Sequence, residues 1–361
     1  MRDLTRDCIK DIKPYVPGKP IEEVERQLGL KRVIKLASNE NALGPSPNAV
    51  AAIKRALSKI NRYPDGNAFY LKEALAKRHK VKPENIIVGN GSDEIITMAM
   101  RAFVERNDEV IIAKPTFLIY EIAAKIQGAR AVFVPLKGFR YDLPSMAQAV
   151  NNRTKMLFIA NPDNPTGTYV DTKEVADFIS KVDDDVLVYF DEAYYEFAPS
   201  DFPETLRYIY KKNVIVTRSF SKAYGLAGVR AGYGISRPET IAAMEKVREP
   251  FNMNLLAQEA ALAAIGDKKF LKKTLKATSD GKKYLYSKLG AMKLQYVPSA
   301  TNFILINVAQ NSKRVAQELL REGIIVREMT PWGFETFIRV TIGTERENKI
   351  FVAALRKVLI E

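Results

Sequence analysis

The sequence contains one histidine, His79, and one cysteine, Cys8, among its 361 residues. A serine–histidine–aspartate triad, a cysteine–histidine pair and an HExxH zinc site each need histidines at particular positions. This scarcity disfavours hydrolases of those classes, and we expect no bound metal. His79 lies in the basic, helical-looking segment Leu71–Lys80, where we expect a solvated surface side chain.

Long apolar runs are also missing. No stretch approaches the ~20 apolar residues that a membrane span needs. Residues Met1–Thr5 mix charges and lack the apolar region of a secretory signal. A lone cysteine excludes an internal disulfide framework and suits a reducing compartment. We therefore expect a cytoplasmic protein with no membrane partner.

Acidic side chains are outnumbered, with 42 Asp and Glu against 56 Lys and Arg, for a net charge of +14. Lysines cluster in Asp267–Lys276 at the spacing of an amphipathic helix with a polar face. No zinc-finger spacing or aromatic RNA-binding motif accompanies this charge. We expect attraction of an anionic small ligand and no nucleic-acid partner.

Short apolar strands alternate with helix-length segments through the first two thirds of the chain. The predicted strands are Ile86–Val88, Val110–Ala113, Arg130–Val134, Met156–Ala160, Val186–Phe190, Val214–Val216 and Gly232–Ile235. This alternation is typical of an α/β fold with a mostly parallel sheet. Ligands in such sheets bind at the carboxyl ends of the strands.

Three regions are predicted along the chain. Residues 1–45 form an N-terminal arm and a segment of the smaller domain, and residues 46–254 form the large domain. Residues 255–361 form a smaller α/β domain. We expect it to begin with one long helical stretch, Leu255–Leu289, and to include a strand at Ile324–Arg327.

Polar clusters follow several predicted strands. Gly89–Glu94 offers free N–H groups at a helix start, which suit a phosphate, although a simple capped helix start is the alternative. Asn161–Gly167 is either a rigid two-proline turn or a loop that uses the Asn164 amide as a donor. Asp191 ends a buried strand and needs a partner, either a cationic ring nitrogen or a capping or ion-pair contact.

The stretch Thr217–Tyr233 places Lys222 on a glycine-rich turn after an apolar strand. We interpret Lys222 as an amine that forms a Schiff base with pyridoxal phosphate (PLP). Ser219, Ser221 and Arg230 would hold the phosphate of this cofactor. The same residues also match S-x-x-K, a motif of penicillin-binding proteins, but the S-D-N and K-T-G motifs that accompany it are absent.

Three motifs carry a resemblance to a known family. N-P-T-G at Asn164–Gly167, D-E-A-Y at Asp191–Tyr194 and S-F-S-K at Ser219–Lys222 occur in the order typical of class I and II aminotransferases, which are PLP enzymes of fold type I. The stretches I-K-P-Y-V-P-G-K-P-I-E-E, L-A-S-N-E-N-A-L-G-P-S-P and V-G-N-G-S-D-E resemble the histidinol-phosphate aminotransferase family. The resemblance spans essentially the full length. It implies a large domain with a seven-stranded sheet flanked by helices, a smaller C-terminal domain, an N-terminal arm and a homodimer.

The resemblance implies three catalytic residues. Lys222 would carry PLP and move the proton, Asp191 would pair with the ring nitrogen, and Tyr194 would hydrogen-bond the phenolic oxygen. Further cofactor contacts are expected from Ser92, Asp93, Phe117, Asn164, Ser219, Ser221, Arg230 and, from the neighbouring subunit, Tyr63.

The resemblance also implies the substrate contacts Tyr15, Asn41, Arg327 and Arg339. Arg339 would clamp the carboxylate of glutamate. Together with Arg327 and Tyr15 it would hold the phosphate of histidinol phosphate. The implied reaction is a ping-pong transfer of an amino group between these two substrates.

Three other interpretations stay open at this point. The first is an aromatic amino-acid aminotransferase of the same subgroup, since broad-specificity relatives keep similar residues. The second is a PLP-dependent decarboxylase that acts on an amino-acid phosphate. The third is a non-catalytic anion- or nucleic-acid-binding protein on the same fold. It is disfavoured because no DNA-binding segment is appended.

Overall fold

A computed structural model describes residues 3–14, 18–30 and 32–360. Its α-helices are α1 (Ile21–Leu28), α2 (Pro47–Ala56), α3 (Phe69–His79), α4 (Ser92–Phe103), α5 (Ile119–Gln127), α6 (Leu143–Gln148), α7 (Thr172–Ile179), α8 (Pro238–Glu245), α9 (Leu255–Gly266), α10 (Lys268–Ala291), α11 (Ser312–Arg321) and α12 (Glu345–Ile360). Its strands are β1 (Ile34–Lys35), β2 (Ile86–Gly89), β3 (Glu109–Lys114), β4 (Arg130–Pro135), β5 (Thr154–Ala160), β6 (Leu187–Asp191), β7 (Val214–Ser219), β8 (Gly232–Ile235), β9 (Gln295–Val297), β10 (Phe303–Asn307), β11 (Ile324–Ile325), β12 (Arg327–Glu328) and β13 (Phe337–Thr341).

The larger sheet has seven strands in the order β2-β8-β7-β6-β5-β3-β4. Neighbouring strands are parallel, except that β8 is antiparallel to both β2 and β7. Strands β6 and β7 are buried at every residue, as expected for a sheet covered on both faces. The predicted mostly parallel seven-stranded sheet is confirmed, and β7 extends beyond its predicted end to Ser219.

The register of the larger sheet brings its polar strand ends to one edge. Asp191 pairs with Ala160 on one side and with Thr217 on the other. On the antiparallel side, Ser219 and Gly89 both pair with Gly232. The residues that follow these strands therefore lie next to one another at the carboxyl edge of the sheet.

A second, antiparallel sheet has the order β12-β13-β10-β9 and a hydrophobic core of its own. Strand β1 from the N-terminal segment pairs in parallel with β11. The predicted single strand Ile324–Arg327 is wrong, because β11 and β12 belong to different sheets. The domain limits at residues 45 and 254 stay predictions.

The predicted continuous helix Leu255–Leu289 is also wrong. It is interrupted at Asp267, whose carboxylate accepts a hydrogen bond from the backbone N–H of Phe270 at 3.0 Å and caps α10. Helix α9 ends before this residue and buries Ala257, Ala260, Ala261 and Ala264 in the core of the larger sheet. The apolar spacing alone did not reveal the cap.

His79 is half-buried, so the prediction of a solvated surface histidine is wrong. Its Nε2 lies 3.0 Å from the Tyr233 hydroxyl, and its Nδ1 lies 3.4 Å from a guanidinium nitrogen of Arg218. Arg218 is itself buried in an ion pair with Glu192 at 2.8 Å. Burial, and then the charge of Arg218, lower the pKa of His79 to about 3, so the ring is neutral.

None of the helices in the described residues combines the length and the apolar character needed to cross a bilayer. Within the same residues, no group of three or more histidine, cysteine, aspartate and glutamate side chains is arranged to hold a metal ion.

Candidate active site

A cavity of about 220 Å³ opens at the carboxyl edge of the larger sheet, and side chains from β12 and β13 complete its wall. The predicted site residues that line it are Ser92, Asp93, Phe117, Asn164, Asp191, Tyr194, Ser219, Ser221, Lys222, Arg230, Arg327 and Arg339. Residues that lie up to about 250 positions apart in the chain therefore meet in one place.

Lys222 lies on the turn that follows β7. Its Nζ donates a hydrogen bond to the backbone carbonyl of Ser38 at 3.3 Å. Burial, and then the positive charge of Arg339, lower the pKa of Lys222 to about 8. Roughly a tenth of this amine is therefore unprotonated at pH 7, and the unprotonated form is the one that attacks a carbonyl carbon.

Asp191 is the last residue of β6 and is buried. Its Oδ2 accepts a hydrogen bond from the Tyr120 hydroxyl at 2.7 Å, and its Oδ1 accepts one from the Ala193 N–H at 3.1 Å. Burial nevertheless raises the pKa of Asp191 to about 6. A cation placed beside this carboxylate would offset the cost of burying its charge.

One corner of the cavity is suited to an anion. Ser92 begins α4, where backbone N–H groups lack partners within the helix. Ser219 and Ser221 contribute hydroxyls from the end of β7 and the turn after it. An Arg230 nitrogen lies 3.5 Å from the Ser221 hydroxyl. Another lies 3.2 Å from an Asp93 carboxylate oxygen. We call Ser92, Ser219, Ser221 and Arg230 the anion corner.

Two glycines keep the anion corner open. A Cβ at Gly232 would lie 2.5 Å from the Ser92 backbone nitrogen. At Gly91, which has a φ of +83°, a Cβ would collide with the Arg230 guanidinium. The close approach of these backbones therefore depends on the missing side chains.

Arg327 and Arg339 are direct cross-strand partners on β12 and β13, so both side chains project from the same face of the smaller sheet. An Arg339 nitrogen donates to the Ala37 carbonyl at 2.9 Å, and another donates to the Asn164 side-chain oxygen. Like charges opposite each other destabilise a sheet. An anionic ligand between the two guanidinium groups would relieve this repulsion.

The loop after β1 places Asn39, not Asn41, against the cavity. The Asn39 Nδ2 donates to the Tyr194 hydroxyl oxygen at 2.8 Å. The Asn41 amide instead donates to the Ala223 carbonyl at 3.0 Å and to the Thr274 hydroxyl at 3.2 Å. The structure thus does not bring Asn41 into the cavity. Asn39 was not predicted, because two asparagines in one loop look alike until the backbone is known.

Two more lining residues were overlooked. Tyr120 lies on α5, and its hydroxyl donates to the Asp191 carboxylate. Trp332 donates its indole N–H to the Thr116 carbonyl at 2.9 Å, and its ring lies 5.2 Å from the Arg327 guanidinium. A single tryptophan in a loop carries no spacing pattern by which to recognise it.

The two remaining predicted site residues are Tyr63 and Tyr15. Tyr63 is 81% exposed and stacks on Phe251, with ring centroids 4.5 Å apart. Tyr15 lies outside the described residues. Their roles stay predictions.

Comparisons with known proteins agree with this geometry. The family described as aminotransferase class I and II matches residues 31–355. A histidinol-phosphate aminotransferase of Moorella thermoacetica is 51% identical over 98% of this chain and 92% of its own length. One of Carboxydothermus hydrogenoformans, histidinol-phosphate aminotransferase 2, is 47% identical over 99% of each chain.

Among solved structures, the histidinol-phosphate aminotransferase of Sinorhizobium meliloti in complex with pyridoxal 5'-phosphate superposes with a TM-score of 0.92. It is 31% identical, and the match covers 100% of this chain and 98% of that one. The family match, the identities and the shared fold agree over essentially the whole length. The chain therefore belongs to the class I and II aminotransferases.

Proposed function

We propose that this protein exchanges an amino group between two pairs of compounds in histidine biosynthesis. One pair is glutamate and 2-oxoglutarate, and the other is L-histidinol phosphate and imidazole-acetol phosphate. Both pairs use the same cavity in turn, so the cycle is ping-pong. The observation that carries this proposal is the convergence of Lys222, an amine of lowered pKa, with the facing pair Arg327 and Arg339 on one cavity.

PLP fits the residues that line the cavity. Its aldehyde suits the amine of Lys222, its ring nitrogen suits the buried carboxylate of Asp191, and its phosphate suits the anion corner. A cationic ring nitrogen would offset the burial that raises the pKa of Asp191. A phosphate beside Arg230 would use the space that Gly91 leaves open next to the guanidinium. When bound, PLP supplies an electron-withdrawing ring that weakens the Cα–H bond of the substrate amine.

The protein side chains then position groups and move protons. The Nζ of Lys222 takes the proton from the substrate Cα, which its lowered pKa permits at neutral pH. With the cofactor bound, the carboxylate of Asp191 would pair with its ring nitrogen, and Phe117 would pack against its ring. Arg339 occupies the Asn164 side-chain oxygen, so the Asn164 amide N–H groups point elsewhere and can donate to the ring oxygen.

The arginine pair explains how one cavity accepts two dissimilar substrates. A guanidinium binds a carboxylate or a phosphate with the same planar fork. We infer that Arg339 binds the glutamate carboxylate and that Arg327 joins it when the substrate carries a phosphate. Tyr15 is expected to add a further contact.

We also propose that the protein acts in the cytoplasm as a homodimer in which Tyr63 completes the neighbouring site. Large apolar side chains of α3 and of the segment between α2 and α3 are exposed. They are Leu57 (49%), Ile60 (65%), Tyr63 (81%), Phe69 (57%) and Tyr70 (73%). An exposed apolar patch of this kind is typical of an interface between protein chains.

The proposal is tested by incubating the purified protein with PLP, L-histidinol phosphate and 2-oxoglutarate. Glutamate should form in equal amount to the histidinol phosphate consumed. Borohydride reduction should leave the cofactor on the peptide that contains Lys222. A Lys222→Ala variant with full activity would refute the scheme.

A further inference from the structure

The Tyr194 hydroxyl is hydrogen-bonded to the side chain of Asn39, which lies in the loop after β1. The Asn39 Nδ2 donates to the Tyr194 oxygen at 2.8 Å. Asn39 is 2% exposed and Tyr194 is 4% exposed, so water competes little for this bond. Tyr194 also lines the cavity, which makes the direction of its own O–H bond important for any ligand there.

Thr341 sets the orientation of the Asn39 amide. The Thr341 hydroxyl oxygen accepts a hydrogen bond from the Asn39 backbone N–H at 2.9 Å. The hydroxyl then donates its hydrogen to the Asn39 Oδ1 at 3.3 Å. With its oxygen turned to Thr341, the amide must present its NH₂ group to Tyr194.

The backbone holds Asn39 in place as well. Its φ is +55°, a left-handed conformation that asparagine adopts more readily than most residues. Its carbonyl accepts a hydrogen bond from the Asn302 side chain at 3.0 Å. Neither the backbone nor the amide of Asn39 is therefore free to turn.

A phenol has one hydrogen to donate. Because Asn39 donates to the Tyr194 oxygen, the Tyr194 hydrogen points away from Asn39. We propose that Asn39 is a positioning residue that fixes Tyr194 as a hydrogen-bond donor toward the cavity, and thus toward the ring oxygen of the cofactor. This inference rests on the proposed function, since it needs PLP in the cavity.

Strand β13 carries both Thr341, which orients Asn39, and Arg339, the proposed substrate contact. Thr341 and Arg339 are two residues apart on β13, so their side chains project from the same face. Arg339 holds the Ala37 carbonyl, and Thr341 holds Asn39. The loop that aims the Tyr194 hydroxyl is thereby attached to the strand that would bind the substrate carboxylate.

The absorption spectrum of the holoenzyme without substrate provides the test. A donor to the ring oxygen stabilises its anionic form and so lowers the pH at which the cofactor band changes. Tyr194→Phe removes the donor and should raise this pH by about one unit. Asn39→Asp has the same shape, but its carboxylate accepts the Tyr194 hydrogen, so a shift of similar size in the same direction is expected.

Two companion variants keep the test decisive. Asn39→Gly preserves the positive φ and frees the Tyr194 hydroxyl to rotate, so it should shift the band by less than Asn39→Asp does. Thr341→Val removes the hydroxyl that orients the amide and should give a small shift in the same direction. Thermal unfolding of each variant checks that the protein is folded.

A variant that carries both Tyr194→Phe and Asn39→Asp shows whether the Asn39→Asp substitution acts by reorienting the Tyr194 hydroxyl or by adding a negative charge near the cofactor. When Tyr194→Phe is already present, Asn39→Asp should cause less than half of the shift that it causes alone. Equal shifts with and without the tyrosine would mean that the added charge acts directly, which refutes the proposal. An unchanged band in Asn39→Asp would also refute it. If the wild-type protein showed no cofactor band at all, the proposed function itself would fail, and this inference with it.

Discussion

The Lys222 amine donates a hydrogen bond to the Ser38 carbonyl oxygen at 3.3 Å, so a loop from the N-terminal segment holds the reactive lysine of the larger sheet. An unprotonated amine can make this bond with one N–H and still keep its lone pair available. The bond therefore orients the Lys222 amine and leaves its lone pair available for attack.

The reaction of Lys222 with the cofactor should depend on pH accordingly. Below about pH 8 the ammonium form dominates and cannot attack an aldehyde, while above it the amine form dominates. The rate at which the apoprotein takes up PLP should therefore rise with pH, with a midpoint near pH 8, and level off at higher pH. Stopped-flow absorbance measures this rate. A midpoint near the ordinary lysine value of about 10.4 would contradict it.

Substitution of the two facing arginines should affect the two half-reactions differently. Arg327→Gln should raise the KM for histidinol phosphate by about 10- to 100-fold, because a charge-assisted contact to the phosphate is lost. The half-reaction with glutamate should change little. Arg339→Gln should impair both half-reactions. Single-turnover spectra with each substrate measure the difference, and equal losses for Arg327→Gln in both half-reactions would argue against the division of roles.

Gly232 should prove essential for cofactor affinity. In Gly232→Ala the new Cβ would lie 2.5 Å from the Ser92 nitrogen, which forces the anion corner apart. We expect PLP to bind at least about 10-fold more weakly, since contacts to a charged group are each worth 1.5–3 kcal/mol. Gly228→Ala on the neighbouring turn is the matched control, because its Cβ would meet no atom within 4 Å. Equilibrium dialysis measures the PLP affinity of both variants. Similar affinities would argue against the anion corner as the site of the cofactor phosphate.

Tyr63 should act across the subunit interface. Tyr63→Ala and Lys222→Ala homodimers should both have low activity. A hybrid of the two contains one site with both native residues, so mixing and refolding the variants should restore activity. Steady-state assays of the mixture measure this recovery. Activity that never exceeds the sum of the separate variants would place Tyr63 outside the partner's site.

The strand ends of the larger sheet were predictable because the chemistry is local there. Asp191 ends one apolar strand and Lys222 follows another, and parallel strands bring their carboxyl ends to one edge. The two glycines before Ser92 likewise indicated a helix start with free N–H groups that suit a phosphate. These features need only a strand, its direction and the residue that follows it.

Other parts of the site depend on long-range packing, which local patterns do not encode. Asn39 reaches Tyr194 across 155 positions of the chain, and its selection over Asn41 depends on a backbone held by Thr341. His79 looked solvated because the buried guanidinium of Arg218 lies 139 positions away. Contacts of this kind appear only when the fold is known.

We propose that the facing pair Arg327 and Arg339 selects a phosphate-bearing substrate. The most direct measurement is the ratio of kcat/KM for L-histidinol phosphate to that for L-phenylalanine, with 2-oxoglutarate as the acceptor. We predict a ratio above about 100, since two charge-assisted contacts to the phosphate have no counterpart in phenylalanine. A ratio below one would contradict the account and identify an aromatic amino-acid aminotransferase.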